Sequence, residues 1–472
     1  MRKVVIVGGG IAGLACAYYA KSLLQRYRVD AEIMLVEKEN RLGGTIHTIR
    51  EKGCIIEGGP DCFLSEKPWA LMLARELGVA HRISGTNEAN KGTYILSKGK
   101  LHPLPEGVML MVPTRIIPLL TSSLLSWRGK LRMGLDVFIP KFQKEKDESL
   151  AEFVTRRLGK EALEKIAEPL VSGVHAGVPE TMSLKSAFPR FKQLEDEYGS
   201  LIRGMLSKMR ELKGLQKKSS SNDVTMFVTF QDGLGEFVEH IKTNLDEKEI
   251  LTGKRVASLL PEQSKGWRVS YDDGSEMFAD VVILTTPAFA ASEIVGEVDK
   301  QLAEELRAIP YISTGTVSML FDESRVPPLK GFGFVVPRNE KRKIMAGTWS
   351  SRKFFNRAPE GKALLRCFIG GAYHPELLEE DNQSLVKICL EELRSIVGLK
   401  EEPESAWVFK WQRSMPQTII GHQERMRRIE ERLSHLKGIF LGGGAYYGLG
   451  IPDCIKQGKL AAEKAIEYLK SI

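Results

Sequence analysis

The stretch Lys3-Val-Val-Ile-Val-Gly-Gly-Gly-Ile-Ala-Gly13, close to the start of the sequence, decides the fold. A run of β-branched residues that opens abruptly into glycines is typical of a buried parallel strand that ends in a tight turn. An apolar helix begins at Ala12-Gly13-Leu14. The order of strand, G-x-G-x-x-G and helix therefore predicts a dinucleotide-binding turn.

Each glycine of this turn has a physical role. Gly8 permits the sharp bend from strand to helix, Gly10 lets bare backbone approach a pyrophosphate, and Gly13 allows the helix to pack closely on the sheet. The helix N-terminus offers free N–H groups and the positive end of a dipole to that anion. A second strand at 33–36 leads to Glu37, near the spacing of about 20 residues expected for the acid that binds a ribose.

Composition sets the broad class of the protein. The chain has 472 residues, of which 43% are hydrophobic, so it can bury a large core in two or three substructures. The 68 basic and 60 acidic residues give a net charge of +8, which suits an anionic substrate, an acidic lipid surface or simply a solvated basic surface. No dense patch of Lys, Arg and aromatic residues stands out, which argues against nucleic acid as a partner.

The cysteines and the N-terminus predict a compartment. The six cysteines form no CxxC pair and have no histidine at zinc spacing, so we expect reduced thiols and no metal site. The glycine turn begins at Gly8 with no signal peptide before it, which predicts a cytoplasmic protein.

One apolar stretch, Val108–Trp127, comes nearest to a membrane segment. Arg115 and two prolines interrupt it, so it cannot cross a bilayer. Its aliphatic residues and the basic residues that follow could instead lie in a membrane interface. A lid over a hydrophobic cavity explains the same stretch equally well.

Three further motifs carry a family resemblance. Arg41-Leu-Gly-Gly-Thr45 resembles the R-x-G-G element of flavoproteins that bind two dinucleotides, and Val4–Thr45 as a whole resembles the FAD-binding start of the monoamine oxidase, phytoene desaturase and protoporphyrinogen oxidase superfamily. Glu57-Gly-Gly-Pro-Asp-Cys-Phe-Leu64 and Pro169-Leu-Val-Ser-Gly-Val-His-Ala-Gly177 resemble elements of the bacterial porphyrinogen oxidases within that superfamily.

The resemblance implies an α/β fold in which a Rossmann-like FAD-binding domain is assembled from discontinuous segments. An α+β substrate domain with an antiparallel sheet and a mainly helical lid or membrane-associated subdomain complete it. The expected segments are FAD-binding at 1–93, helical at 94–224, FAD-binding at 225–300, substrate-binding at 301–425 and FAD-binding at 426–472.

The resemblance and the glycine pattern also imply a set of site residues. The expected cofactor-binding residues are Gly8, Gly9, Gly10, Ile11, Ala12, Gly13, Glu37, Lys38, Arg41, Gly43, Gly44, Thr45, Gly59, Pro60, Asp61, Cys62, Val256, Trp411, Gly443, Gly450 and Ile451. The expected substrate-binding residues are Lys67, Gly173 and Gly177. Lys67 would bind a propionate or be a plain surface lysine, and His175 is a packed turn residue or a base.

The implied activity is oxidation of a porphyrinogen to a porphyrin in heme biosynthesis, in three hydride transfers to FAD with hydrogen peroxide as by-product. The meso methylene lies between two electron-rich pyrroles that delocalise the resulting cation. FAD itself therefore carries the chemistry, and no catalytic residue beyond it is predicted. No second strand–GxGxxG–helix unit follows, so a built-in NAD(P)H site is not expected and the flavin would be reoxidised by dioxygen or another acceptor.

Several alternatives stay open at this point. Coproporphyrinogen III and protoporphyrinogen IX both fit as substrates, with four and two propionates respectively. A flavin amine oxidase, a carotenoid desaturase and a non-catalytic flavin-bound tetrapyrrole carrier are the other classes. A homodimer, peripheral membrane contact and product hand-over to a ferrochelatase are the partners compatible with the resemblance.

Overall fold

The computed structural model of the chain describes residues 2–109, 112–113, 116–142, 147–216, 225–262 and 266–472. In chain order, the described strands are β1 Arg2–Val7, β2 Ala31–Val36, β3 Thr48–Glu51, β4 Cys54–Glu57, β5 Phe63–Leu64, β6 Ile83–Gly85, β7 Thr93–Ser97, β8 Lys100–Pro103, β9 Val108–Met109, β10 Val112–Pro113, β11 Phe227–Phe230, β12 Ile250–Leu251, β13 Val256–Glu262, β14 Gly266–Tyr271, β15 Glu276–Ala279, β16 Val281–Leu284, β17 Tyr311–Asp322, β18 Gly333–Val335, β19 Ile344–Trp349, β20 Lys362–Gly370, β21 Ser405–Pro416 and β22 Ile439–Leu441. The described α-helices are α1 Ile11–Tyr27, α2 Trp69–Glu76, α3 Ile116–Thr121, α4 Trp127–Gly134, α5 Leu150–Arg157, α6 Lys160–Ala162, α7 Glu168–His175, α8 Leu184–Ala187, α9 Pro189–Tyr198, α10 Leu201–Gln216, α11 Leu234–Lys242, α12 Ala288–Val295, α13 Lys300–Arg307, α14 Ser350–Lys353, α15 Asn382–Val397, α16 His422–His435, α17 Gly444–Tyr447 and α18 Ile451–Ser471.

A five-stranded parallel sheet has the order β12-β2-β1-β16-β22. Val5 of β1 pairs with Val282 of β16, which in turn pairs with Ile439 of β22. These β-branched residues are buried, as expected for a parallel sheet that is covered on both faces. The sheet confirms the predicted α/β fold, because strands from widely separated parts of the chain build one layer.

Helices α1 and α18 cover one face of this sheet, and their apolar residues belong to one core. The two helices approach closely, since a Cβ on Gly458 would lie 2.2 Å from the carbonyl oxygen of Ala12. The C-terminal helix is therefore locked against the first helix of the chain.

A seven-stranded sheet has the order β21-β17-β20-β19-β18-β7-β8, and its neighbouring strands are antiparallel except for β18 and β7. Helix α15 covers one face with Leu385, Cys389 and Leu393. The opposite face lies against the turn that follows β4. This sheet confirms the predicted antiparallel layer.

The segment 94–224, expected to be mainly helical, begins with strands instead. Strands β7 and β8 extend the antiparallel sheet, with Tyr94 of β7 beside Phe334 of β18. The helices α3 to α10 follow and share a separate core. Gly159 divides α5 from α6, because its φ of +95° does not continue a helix.

Two sequence expectations fall partly outside the described residues. The polar composition of Lys213–Asp223 predicts a loop or linker, and this segment overlaps the end of α10 and then leaves the described ranges. Part of the apolar stretch Val108–Trp127 also lies outside them. No helix in the described ranges is both long and apolar enough to cross a membrane.

Candidate functional site

The first glycine turn joins β1 to α1 and is shaped by close backbone contacts. Gly8 has a φ of +107°. A Cβ on Gly13 would lie 1.8 Å from the Gly8 carbonyl oxygen, so only glycine fits there. A Cβ on Gly10, by contrast, would meet nothing within 4 Å. With Ile11 and Ala12 buried in the first turn of the helix, the backbone at Gly10 forms an open cradle.

The carboxylate of Glu37 closes one side of this turn. Its Oε2 accepts a hydrogen bond from the Gly9 N–H at 2.6 Å, and its Oε1 accepts one from the Glu39 N–H at 2.9 Å. A Cβ on Gly9 would lie 2.9 Å from the Glu37 Cβ, so glycine at this position lets the acid approach. Glu37 is thus fixed beside the glycines, where the sequence predicted it.

The segment that leads into β13 adjoins the same acid. The Lys254 N–H donates to the carbonyl oxygen of Glu37 at 3.0 Å, which brings Val256, at the start of β13, to this edge of the sheet. Lys38 is different, because its exposed ammonium pairs with Glu39 on the surface at 3.4 Å. The structure therefore places Val256 near the turn and directs Lys38 toward solvent.

A second glycine turn packs on the first. The Gly43 N–H donates to the Gly9 carbonyl oxygen at 2.8 Å. The Arg41 guanidinium donates from Nη2 to the Gly44 carbonyl oxygen at 2.6 Å, so this arginine shapes its own turn. Gly44 and Thr45 are exposed at the tip. The two glycine turns, separate in sequence, form one continuous backbone surface.

A third turn follows β4 and is fastened to the antiparallel sheet. The Gly58 carbonyl oxygen accepts hydrogen bonds from Thr316 Oγ1 at 2.9 Å and from Trp411 Nε1 at 2.8 Å. A Cβ on Gly59 would lie 1.8 Å from the Thr45 carbonyl oxygen, so this turn also touches the second one. Trp411 therefore lies where this third turn meets the antiparallel sheet.

Charged side chains surround the rest of this third turn, which we call the 58–62 turn. Lys353 Nζ lies 2.8 Å from Asp61 Oδ2 and 3.5 Å from Cys62 Sγ, and Arg366 donates to the Gly59 carbonyl oxygen. Burial alone would raise the pKa of Asp61, but the charges of Lys353 and Arg366 outweigh it and hold that pKa below its usual range. Burial and the Asp61 charge raise the pKa of Cys62 to about 12, so this thiol stays neutral.

The C-terminal glycines lead into α18. The Gly442 N–H donates to the Leu284 carbonyl oxygen at 2.9 Å, which places this segment at the end of β16. Gly443 has a φ of +118°. Gly450 is the N-cap of α18 and Ile451 is its first residue. The free N–H groups of a helix of this length can stabilise negative charge on a bound group.

Of the expected substrate residues, Lys67 lies beside that helix N-terminus. Lys67 Nζ lies 2.5 Å from Asp453 Oδ2, so its charge is paired. Burial lowers the pKa of His175 to about 4, with Lys67 adding to the effect and Asp453 opposing it. A Cβ on Gly173 would lie 3.2 Å from Val335 Cγ1, and a Cβ on Gly177 would lie only 2.2 Å from Gln417 Oε1. Gly177 is thus a close-packing position.

The site has the features that a flavin nucleotide needs. The Gly10 cradle is open, and several buried polar atoms in the described residues have no hydrogen-bond partner. Those that border the turns are Thr286 Oγ1, Arg366 Nε, Arg366 Nη1 and Tyr446 Oη. Buried polar groups normally find a partner, so these atoms fit a bound group that offers donors and acceptors. The described residues contain no cluster of three or more His, Cys, Asp or Glu side chains that could hold a metal ion.

Four residues of this arrangement were not predicted from the sequence: Thr316, Lys353, Arg366 and Asp453. The first three come from the antiparallel sheet and α14, and each contacts the 58–62 turn. Alternation along β17 and β20 predicts on which face of the sheet Thr316 and Arg366 lie, but not what that face contacts. Asp453 has a local signal, since it is the acid in the first turn of α18.

The comparisons with known proteins agree with this geometry. Residues 11–466 match the model of the flavin containing amine oxidoreductase family. The chain belongs to this flavin-containing amine oxidoreductase family. Its cofactor is accordingly FAD, which the turns described above fit.

Relatives in this family cover the whole chain. A coproporphyrinogen III oxidase from Bacillus subtilis is 37% identical over 472 residues, covering 100% of this chain and 99% of the relative. A chloroplastic protoporphyrinogen oxidase from Nicotiana tabacum is 28% identical and covers 98% of this chain and 85% of the relative. The crystal structure of a candidate protoporphyrinogen oxidase from Exiguobacterium sp. has a TM-score of 0.86 at 32% identity and covers 99% of both chains.

Proposed function

We propose that this chain is an FAD-dependent oxidase that converts coproporphyrinogen III to coproporphyrin III with dioxygen as the electron acceptor. The observation that carries the proposal is its 37% identity, over its full length, to a coproporphyrinogen III oxidase. Protoporphyrinogen IX, the substrate implied by the name of the tobacco relative, is the second candidate. Porphyrinogen oxidation belongs to heme biosynthesis.

The arrangement of the site suggests which part of the reaction FAD would perform and which part the chain itself would perform. FAD held in this site would supply the hydride acceptor for three successive two-electron oxidations at meso carbons, and dioxygen would be the final acceptor with hydrogen peroxide as by-product. The glycine turns at 8–13 and 43–45 would hold the nucleotide, with Glu37 at the ribose. The 58–62 turn, Trp411 and the N-terminus of α18 would border the ring. The chain's own task is to position the substrate and exclude water.

Lys67 is the proposed anchor for a propionate. It lies at the N-terminal end of α18 and is only partly exposed, with 38% of its side chain accessible. Because it already pairs with Asp453, a propionate must compete with that acid or join the pair. Asp453 would therefore hold Lys67 in place until the carboxylate of the substrate arrives.

The test of the proposed function compares substrates on purified, FAD-loaded protein. Coproporphyrinogen III should give fluorescent coproporphyrin and peroxide in a ratio of about three peroxides per porphyrin, since each step removes two electrons. The protein should oxidise neither amines nor phytoene. A protein that binds FAD but oxidises neither porphyrinogen would be the non-catalytic carrier.

We also propose a cytoplasmic protein with peripheral membrane contact through α3, α4 and the turn that follows them. This contact surface consists of large apolar side chains that are exposed in the structure: Ile117, Leu120, Trp127, Leu131, Leu135 and Phe138. Apolar residues concentrated on one exposed surface favour a partner of the same character. All six cysteines lie in the described ranges and none is disulfide bonded, which supports the reducing compartment.

Binding to vesicles tests this surface. Substitution of Trp127 and Phe138 by Ser should abolish co-sedimentation with anionic lipid vesicles and leave FAD binding intact. If the wild-type protein ignores vesicles and forms dimers that these substitutions disrupt, the surface joins two copies instead. The homodimer and the hand-over to a ferrochelatase stay predictions.

A further inference from the structure

Arg366 is a buried cation with no carboxylate at ion-pair distance among the described residues. Its side chain is only 2% exposed, and its guanidinium stacks on Phe368 with 4.7 Å between Cζ and the ring centre. It donates to the Gly59 carbonyl oxygen. Within the described residues no carboxylate forms an ion pair with it, and its Nε and Nη1 have no hydrogen-bond partner. An isolated buried charge is costly unless something compensates it.

The nearby carboxylates of Asp61 and Glu57 attract Arg366, but each of them is shared with another cation. Lys353 is paired with Asp61 at 2.8 Å. Arg357 donates to two carbonyl oxygens and to Thr229 Oγ1, and it lies near Glu57, whose pKa is raised by burial. Three cations therefore share the two buried carboxylates Asp61 and Glu57, which leaves one positive charge in excess.

This excess positive charge lies against the 58–62 turn, which Arg366 and Lys353 both contact. The turn is held by Thr316 and Trp411 on its Gly58 carbonyl oxygen and by Arg366 on the next one. The free N–H groups of Arg366 thus belong to a rigid arrangement rather than to a mobile surface side chain. In a dry interior, charge interactions act more strongly than in water.

We propose that Arg366 is a positioning residue that fixes the 58–62 turn and, through its uncompensated positive charge, makes the flavin bound against that turn easier to reduce. This inference rests on the proposed function, in which the 58–62 turn borders the flavin ring. Two-electron reduction places negative charge on the ring, so a nearby fixed cation favours the reduced form. The same charge would favour hydride transfer from a substrate.

The first experiment measures the midpoint potential of bound FAD by reductive titration. Arg366→Gln should lower the potential by an amount equal to about a tenfold change in the two-electron equilibrium constant, which is about 30 mV. Arg366→Lys keeps the charge and should restore most of the wild-type potential. Lys362→Met, on the same strand but exposed and paired with Glu404, is the control and should change nothing.

A second pair of variants leaves Arg366 in place. Ser318 is 1% exposed and lies directly opposite Arg366 in the register of β17 and β20, so the two side chains share a face. Ser318→Asp would supply the missing counter-charge and should lower the potential, whereas the neutral Ser318→Asn should not. If Arg366→Gln does not retain FAD, the difference in midpoint potential between Ser318→Asp and Ser318→Asn tests the proposal instead.

Equal potentials in Ser318→Asp and Ser318→Asn, or in Arg366→Gln and wild type, would overturn the inference. Its failure differs from failure of the proposed function, because the titration uses a chemical reductant and needs no porphyrinogen. A yellow protein with unchanged potentials that still oxidises coproporphyrinogen rejects only the role of Arg366. A yellow protein that oxidises no porphyrinogen rejects only the proposed function.

Discussion

At the scale of single residues, Gly10 differs from its neighbours in the first glycine turn. Gly8, Gly9 and Gly13 are hemmed in by protein atoms, but Gly10 faces open space. A side chain at Gly10 would therefore disturb a bound nucleotide rather than the fold.

Gly10→Val is expected to weaken FAD binding about tenfold or more, since forcing methyl groups into an occupied space typically costs 1–3 kcal/mol. The ratio of flavin absorbance to protein absorbance measures this, with circular dichroism to establish folding. Gly134→Val is the control, because a Cβ on Gly134 also meets nothing within 4 Å but lies on the helical layer. A fully yellow Gly10→Val protein would contradict the assignment of the turn.

A second residue-scale prediction concerns Lys67. Lys67→Ala should raise KM for coproporphyrinogen III about tenfold, because a charge-assisted hydrogen bond contributes about 1.5–3 kcal/mol. The effect on protoporphyrinogen IX should be smaller, since that substrate carries fewer carboxylates. Steady-state kinetics on both substrates provide the measurement, with the exposed, ion-paired Lys91→Ala as the control. An unchanged KM for both substrates would remove Lys67 from substrate recognition.

Some residues of the site can be predicted from the sequence around them, and others cannot. Gly8 to Gly13 and Glu37 could be predicted because strand, turn and acid follow one another in sequence. Arg366 could not, since an arginine within a strand carries no pattern of its own. Only the tertiary fold brings β20 against the Gly59 carbonyl oxygen.

At the scale of elements, the helical layer is held by a buried ionic cluster. Arg157 and Asp136 are fully buried, and Arg157 Nε lies 3.1 Å from Glu195 Oε1. Glu195 also pairs with Arg156 at 2.7 Å and thereby connects α9 to α5. Removing one member of such a cluster leaves buried charge without a partner.

Glu195→Ala is therefore expected to destabilise the protein by about 3–5 kcal/mol. Urea unfolding followed by circular dichroism measures the loss. Glu164→Ala, which breaks an exposed pair with Lys160, should cost about 1 kcal/mol or less. If the two variants were equally stable, the cluster would have no structural importance.

A further element-scale prediction concerns the first residue of α7, Glu168. Burial raises the pKa of Glu168 from 4.5 to about 7, although the Arg338 N–H donates to its Oε2 at 3.1 Å. The folded state therefore prefers the neutral acid. This contribution to stability is fully present below pH 4.5 and is lost as the pH rises through 7.

Relative to Glu168→Gln, the wild-type protein should lose up to about 3 kcal/mol between pH 4.5 and 7. Thermal unfolding of both proteins across this range tests the expectation, with the exposed Glu164→Gln as the control. Parallel curves for the wild type and Glu168→Gln would show that Glu168 does not titrate in this range.

Elements were predicted best where their pattern is regular. Thr316–Phe321 in β17 and Leu364–Ile369 in β20 have the pattern of strands, and the apolar residues after Pro452 have the spacing of one face of a helix, α18. Strands β7 and β8 were assigned to the helical segment, because their sheet partner β18 lies far along the chain and short apolar runs are ambiguous. The break at Gly159 likewise depends on a φ that the helical pattern conceals.

At the scale of the whole molecule, the fold gathers separate parts of the chain around one set of turns. The first two glycine turns come from the N-terminal segment, the glycines before α18 come from the C-terminal segment, and the 58–62 turn lies against the antiparallel sheet. Such a site can hold a cofactor where the glycine turns meet the antiparallel sheet, and we propose that substrate enters beside Lys67. Family membership and the relatives that span the chain fit this arrangement.

The most direct test mixes the FAD-loaded protein with coproporphyrinogen III in the absence of oxygen and follows the flavin absorbance near 450 nm. If the chain oxidises coproporphyrinogen III through FAD, the flavin band should bleach rapidly. The band should recover, and peroxide should form, when air is admitted. A flavin band that stays unchanged with both coproporphyrinogen III and protoporphyrinogen IX would contradict this proposal.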